Sequence, residues 1–221
     1  MQDLKKTTEL KFTSNPESLV QFSFLGLIEY QKSLEIQNQL HELSQSTKNH
    51  YIIGLEHPAV ITLGLRARAE DEVFADTEIP VVRINRGGFA TLHSEGQLVV
   101  YGVLNLRELG LGVRDYVYLL LETTRGMLSD YGVRSNINEE ALGLYTANGK
   151  IAFCGIQVKG GVSQHGISIN IGNDLKLFSG IRSCGSHHSV FDSLTLNAQK
   201  NPGLSEVFSS WQNQFYKKIS F

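Results

Sequence analysis

The 221-residue chain has only two cysteines, Cys154 and Cys184, too few for the disulfide framework that braces small secreted domains. Residues 1–12 (MQDLKKTTELKF) lack the apolar stretch of a secretory signal, and no apolar run approaches the ~20 residues needed to cross a bilayer. A reducing, cytoplasmic setting with no membrane partner is therefore expected. Charge of one sign is also missing. Twenty Lys+Arg against 22 Asp+Glu leave a formal net charge of -2, without the basic excess that phosphate backbones select, so nucleic acid is not an expected partner. Hydrophobic residues make up 41% of the chain and charged ones 19%, a composition that supports a packed core and argues against disorder.

Several cofactor signatures are absent too. Gly143, Gly149 and Lys150 imitate a phosphate-binding loop, but five residues separate the glycines instead of four, and Ile151 replaces the Ser or Thr that would meet magnesium. Gly110-Leu111-Gly112 lacks the third glycine of a dinucleotide fingerprint, and there is no His-Glu-x-x-His. Adjacent His187 and His188 near one cysteine match no common zinc spacing. The motifs call for no metal and no other cofactor.

What is present reads as an α+β chain. Residues 1–18 are polar, broken by Asn15-Pro16, and are expected to form a loosely held arm, with a single catalytic domain over 19–221. Apolar positions Leu27, Tyr30, Leu34 and Leu40 predict a first amphipathic helix over 27–43. Strands are expected at 51–55, 59–63, 81–84 and 97–104, with a charged loop over 66–76 and a glycine-rich loop over 86–96. Val113, Tyr116, Val117, Leu120, Thr124, Met127, Leu128 and Tyr131 keep helical spacing over 113–131. Extended segments at 142–146 and 150–158 flank Asn148-Gly149, a hairpin signal that sets Lys150 just past a tight turn. A strand over 163–171 and a closing helix marked by Leu204, Val207, Phe208, Trp211 and Phe215 complete the chain. Strands and helices do not alternate regularly, so a mixed or antiparallel sheet with flanking helices is expected.

The chemistry concentrates on residues 178–188. Cys184 lies in a Gly/Ser-rich loop beside Arg182, His187 and His188, the cationic setting that stabilises a thiolate. Its alternative is a small buried hydrophobe. Cys154, within the apolar run 151–156, reads as space filling. His57 before Pro58 reads as a turn residue, whereas His93 follows a Gly-Gly loop that can line a pocket; a hydrogen-bonded structural role is its alternative.

Seven blocks in order resemble the octanoyltransferases, or lipoyl(octanoyl) transferases: Leu55-Glu56-His57-Pro58, Thr62-Leu63-Gly64, Arg86-Gly87-Gly88 through His93 to Gly96-Gln97-Leu98, Asn105-Leu106-Arg107, Gly149-Lys150-Ile151-Ala152, His165-Gly166 with Asn170, and Phe178-Ser179-Gly180-Ile181 through Cys184-Gly185. The resemblance spans about residues 55–197. It departs from the family at Ser94-Glu95, where Gly-Pro is usual, at Ser183, where Pro precedes the cysteine, and at Ser186-His187-His188, where apolar or small residues follow the glycine.

The resemblance implies a biotin/lipoyl protein ligase-like α+β fold and transfer of an octanoyl group from acyl carrier protein to lipoyl domains. The acceptors it implies are 2-oxoacid dehydrogenase E2 subunits and the glycine cleavage H protein. It makes Cys184 the nucleophile carrying the acyl thioester, and Lys150 the residue that lowers its pKa and moves protons. It places Arg86, Gly87, Gly88, Phe89, Ala90, Thr91, Leu92 and His93, with Phe153, Cys154, Gly155, Gly166, Ile167 and Ser168, on the acyl-binding segments, so that Cys154 becomes pocket wall instead of filler. Phe89, Phe153 and Ile167 are expected to line a tunnel for the alkyl chain, and N–H groups near Gly87-Gly88 or Gly185 to face the oxyanion. Arg66, Arg68 and Arg182 are candidates for a basic patch toward an acidic carrier. Two alternatives remain: an ATP-dependent lipoate or biotin ligase of the same fold, and a non-catalytic acyl-binding regulatory module.

Overall fold

The computed structural model describes residues 19–47, 49–68, 78–181, 190–198 and 200–219. The expected arm (1–18), most of the charged loop, Arg182, Cys184 and Ser186-His187-His188 lie outside the described residues.

A seven-stranded mixed sheet forms the platform, in the order β1-β2-β6-β10-β9-β8-β7. Its strands are β1 (Val20–Leu27), β2 (His50–Glu56), β6 (Gln97–Val103), β7 (Asn136–Asn138), β8 (Gly143–Tyr145), β9 (Lys150–Lys159) and β10 (Val162–Asn170). Only β1 and β2 run parallel; every other pairing in this sheet is antiparallel. A smaller sheet sets β3 (Val60–Leu63) between β4 (Val81–Arg83) and β5 (Ala90–His93).

Strand alternation sorts the core into two layers. On one face Leu98, Val100, Ile167 and Ile169 meet α2 (Val113–Asp130) and α4 (Leu204–Tyr216). Those helices are joined by a hydrogen bond from Trp211 Nε1 to Thr124 Oγ1 at 2.9 Å. The spacing read for α2 is the reason it packs: Tyr116, Leu120, Leu121, Thr124, Met127 and Leu128 are buried along one stripe, and Asp115 caps the first turn by accepting the Gly112 N–H at 3.0 Å. On the other face Val99, Tyr101 and Val103 meet Ile36 and Leu40 of α1 (Tyr30–Ser46). Phe153, Phe178 and Ile181 join the small sheet in a third cluster, with Phe178 carried by a 3-10 helix, Leu175–Gly180. A short helix, α3 (Leu194–Asn197), precedes α4.

Three sequence expectations change. Residues 27–29 are not helical: Leu27 ends β1, whose Val20 and Phe22 are buried, and α1 begins at Tyr30. β1 is held by partners remote in sequence, pairing with β2 across α1 and packing Phe22 edge-on to Phe215 at 5.7 Å. The loop expected over 86–96 contains β5, whose four residues pair with β3 from Val60↔His93 to Leu63↔Ala90. Gly87-Gly88 and Ser94-Glu95-Gly96 flank that run so closely that its strand character shows only in the pairing. β7 likewise depends on β8.

Candidate active site

Lys150 opens β9 and is 2% exposed, which is rare for a lysine. A β-bulge turns it inward. β8 residues Gly143, Leu144 and Tyr145 pair with Phe153, Ala152 and Lys150, so Ile151 is an extra residue on β9 that reverses the alternation. Lys150 thereby shares a face with Phe153. Its ammonium donates to the carbonyl oxygens of Ala141 (2.6 Å) and Leu142 (3.2 Å), and lies 4.9 Å from the Phe153 ring centroid and 5.3 Å from that of Tyr145. Gly143 leaves the room, since a Cβ there would stand 2.6 Å from Lys150 Cε. Ring faces and carbonyls solvate this nearly buried ammonium.

The Lys150 side chain stands in the wall of a cavity between the two sheets. Of the acyl-binding residues expected from the resemblance, Arg86, Gly88, Phe89, Ala90, Thr91, His93, Phe153, Cys154, Gly155, Gly166, Ile167 and Ser168 border it. Gly87 and Leu92 do not. The Gly87 N–H is committed to Ile156 O at 3.0 Å, and Leu92 packs into the third hydrophobic cluster. Gly185, expected along with the Gly87-Gly88 segment to face the oxyanion, is outside the described residues. Cys154 is both wall and filler: it borders the cavity while packing against the main core, and burial pushes its thiol up to about 12, only partly offset by Lys150. That is an inert thiol. Ile167 also borders the cavity and packs in the main core.

Arg86 is 7% exposed, and its guanidinium braces the glycine loop. It donates to Thr62 O and Oγ1, each at 2.8 Å, and to Gly87 O at 3.0 Å. Gly64 packs so closely that a Cβ would lie 2.5 Å from Gly88 O. Arg66 stacks on Phe89 at 4.6 Å and borders the cavity, while Arg68 is exposed. Glu95 is exposed in the turn before Gly96 and does not border the cavity.

Reasoning from the sequence singled out His93 but missed the buried group of rings around it at one side of the cavity. Tyr30 stacks on His93 (6.1 Å between centroids, 13° between planes), His57 meets both edge-on, and Tyr101 lies between His57 and His165. His57 is thus no plain turn residue: its Nδ1 donates to Ile28 O at 2.6 Å, and its Nε2 accepts from the Tyr101 hydroxyl at 3.0 Å. Burial lowers His57 and His165 to about 4, in the second case helped by Arg86. Burial, reinforced by His57, holds His93 well below the usual histidine range. All three are neutral at pH 7, and of them His93 and His165 border the cavity beside Arg86. His165 has φ 59°, the one positive value among described non-glycine residues, and its N–H donates to Gln37 Oε1 at 2.8 Å. The His165-Gly166 block that carries part of the resemblance was the available signal.

A side-chain chain links this wall to the end of the sheet. His93 Nδ1 donates to Gln97 Oε1 (2.8 Å), Gln97 Nε2 to Asn170 Oδ1 (2.9 Å), and Asn170 Nδ2 to Asp192 O (3.0 Å). The two amides fix each other's orientation and therefore the histidine tautomer. No cluster of three or more His, Cys, Asp or Glu able to hold a metal occurs among the described residues. None of their helices is long and apolar enough to cross a membrane.

A mixed sheet with flanking helices, carrying a cavity walled by a glycine loop and a buried lysine, matches a known catalytic domain. The family described as "Lipoyl protein ligase A/B catalytic domain" matches residues 29–215. A solved lipoate-protein ligase A bound with ATP superposes with a TM-score of 0.75 at 17% identity, covering 89% of this chain and 83% of that one, a likeness of fold. The octanoyltransferase of Ectopseudomonas mendocina is 40% identical over 77% of this chain and 82% of its own length. That of Pseudomonas syringae pv. syringae is 37% identical over 90% and 91%. The chain belongs to the lipoyl protein ligase A/B catalytic domain family and, within it, to the octanoyltransferases, which are acyltransferases.

Proposed function

We propose that this chain moves an octanoyl group from octanoyl-acyl carrier protein, through a thioester on Cys184, to the lysine ε-amine of lipoyl domains, those of 2-oxoacid dehydrogenase E2 subunits and of glycine cleavage H protein. The observation that carries the reading is the buried Lys150 ammonium in the cavity wall, on a chain closely similar to octanoyltransferases. A fixed, desolvated cation stabilises a nearby thiolate and supplies a proton on demand.

The steps balance. The Cys184 thiolate attacks the thioester carbonyl, and the bond to the carrier sulfur breaks. The departing thiolate takes a proton from Lys150. The neutral Lys150 amine then accepts the proton that the acceptor amine loses as its nitrogen attacks the acyl-enzyme, and the Cys184 thiolate leaves. A thioester is already activated, so the sequence of steps needs no nucleotide. The alkyl chain occupies the cavity, where Phe89, Val99, Leu142 and Phe153 supply apolar wall and the neutral histidines impose no charge on it.

Incubation with octanoyl-acyl carrier protein and an isolated lipoyl domain, without ATP, tests the reading by the mass of the lipoyl domain. Gain of one octanoyl group is expected. Modification only with free octanoate or lipoate plus ATP would make the chain a ligase, and acyl binding with no transfer would make it a binding module.

A further inference from the structure

Asp192 is 1% exposed, yet among the described residues its carboxylate meets only neutral donors. One oxygen accepts from the Thr146 hydroxyl and from Asn197 Nδ2 (2.8 Å), the other from the Ser193 N–H (2.8 Å). Its main chain is equally committed. The Asp192 N–H donates to Lys150 O at 2.9 Å, the Lys150 N–H donates to Val190 O at 2.8 Å, and Asp192 O accepts from Asn170 Nδ2 at 3.0 Å. Lys150 and Phe191 form an isolated parallel bridge, and Phe191 stacks on Phe178 at 4.3 Å and on Phe153 at 5.9 Å.

Burying a carboxylate without a cation is expensive, and a hydrophobic residue would fill the space at less cost. What the carboxylate gains is directionality. It ties the β8–β9 turn through Thr146 and helix α3 through Asn197 to the same short segment that grips both peptide groups of Lys150, while the Asp192 main-chain carbonyl ties in strand β10 through Asn170. The bulge that aims Lys150 inward lies between these ties. Sheet pairing alone holds a bulged strand end loosely, because the extra residue breaks the ladder.

We infer that Asp192 is a positioning residue for the acyl transfer: by fixing the main chain on both sides of Lys150, it sets the place of the ammonium in the cavity. The inference rests on the proposed role of Lys150 and adds to it a device outside the cavity wall.

Asp192→Asn is the discriminating variant, because an amide cannot accept at both positions and turns its NH2 toward the Asn197 amide. The double variant Asp192→Asn/Asn197→Asp restores a donor facing an acceptor with the polarity reversed. Two quantities are read at a temperature where circular dichroism shows each variant folded: the rate of octanoylation by octanoyl-acyl carrier protein, and the pH dependence of Cys184 alkylation. A displacement of about 1 Å costs on the order of 100-fold in rate. Asp192→Asn is expected to slow octanoylation by about 10- to 100-fold and to move the alkylation midpoint toward that of Lys150→Ala, and the double variant to recover both. Thr146→Val, which removes a single tie, is expected to move both in the same direction by less. A folded Asp192→Asn protein with wild-type rate and profile, or a folded double variant no better than the single one, would overturn the proposal. If Lys150→Ala itself leaves the profile unchanged, the role of Lys150 falls and the Asp192 proposal falls with it; a shift in Lys150→Ala with none in Asp192→Asn overturns the Asp192 proposal alone.

Discussion

The Lys150 ammonium lies 4.9 Å over the ring of Phe153, three residues further along the same strand. In a regular strand these side chains would point to opposite faces. Ile151, the extra residue of the bulge, brings them together and puts a cation against a wall of the cavity.

Lys150→Met keeps the volume of that side chain and removes its charge. Taking away the buried ammonium leaves the Ala141 and Leu142 carbonyls without its hydrogen bonds, at a cost of about 1–3 kcal/mol, whereas loss of a proton-transfer group slows reaction by about 100-fold or more. Thermal melting alongside single-turnover octanoylation checks both halves, and alkylation of Cys184 is expected to need higher pH.

Gly64→Ala strikes the brace of the glycine loop. The new methyl would stand 2.5 Å from Gly88 O and 2.8 Å from Arg86 Nη1, so the loop must shift. Overpacking of this kind costs about 1–3 kcal/mol, and the displaced wall is expected to raise the KM for octanoyl-acyl carrier protein more than it lowers kcat. Chemical denaturation and steady-state kinetics on the same preparation separate the two effects.

Phe178→Ala removes the middle ring of the Phe153–Phe178–Phe191 stack, where Phe178 sits 5.3 Å from Phe153 and 4.3 Å from Phe191. Phe178 is 1% exposed, so a loss of about 3–5 kcal/mol is expected in urea unfolding. Phe178→Leu should cost visibly less.

Acid should weaken the fold through His57, His93 and His165. Their folded values lie below the ordinary 6.5, two of them at about 4, so between pH 6.5 and 4 the unfolded chain binds more protons than the folded one. Stability is then complete above pH 6.5 and is lost as the pH falls, by up to about 1.4 kcal/mol per pH unit for each histidine. Urea midpoints from pH 7.5 down to 4.5 measure the slope, and His165→Gln is expected to flatten it.

The elements legible in the sequence were those whose signal is local. The apolar stripe of α2 and the Asn148-Gly149 turn before β9 depend on neighbours a few residues away, and the structure bears both out. β1 and β5 were not legible as strands, because their partners are distant in sequence and their runs lie close to breakers. The site divides in the same way. Arg86, His93, Lys150 and Phe153 stood out by motif and do border one cavity. Tyr30 and Tyr101 reach it only through the crossing of α1 and β6 over the cavity, which no local pattern encodes. The inward turn of Lys150 comes from a register shift against β8 and is invisible in the order of residues.

The central claim, an acyl-enzyme on Cys184 assisted by Lys150, is tested most directly by the intact mass of the protein after brief exposure to octanoyl-acyl carrier protein without ATP. The wild-type chain should gain one octanoyl group, Lys150→Ala should gain it far more slowly, and Cys184→Ser should gain no thioester adduct. No adduct on the wild-type chain, or an equal adduct on Cys184→Ser, would contradict the account.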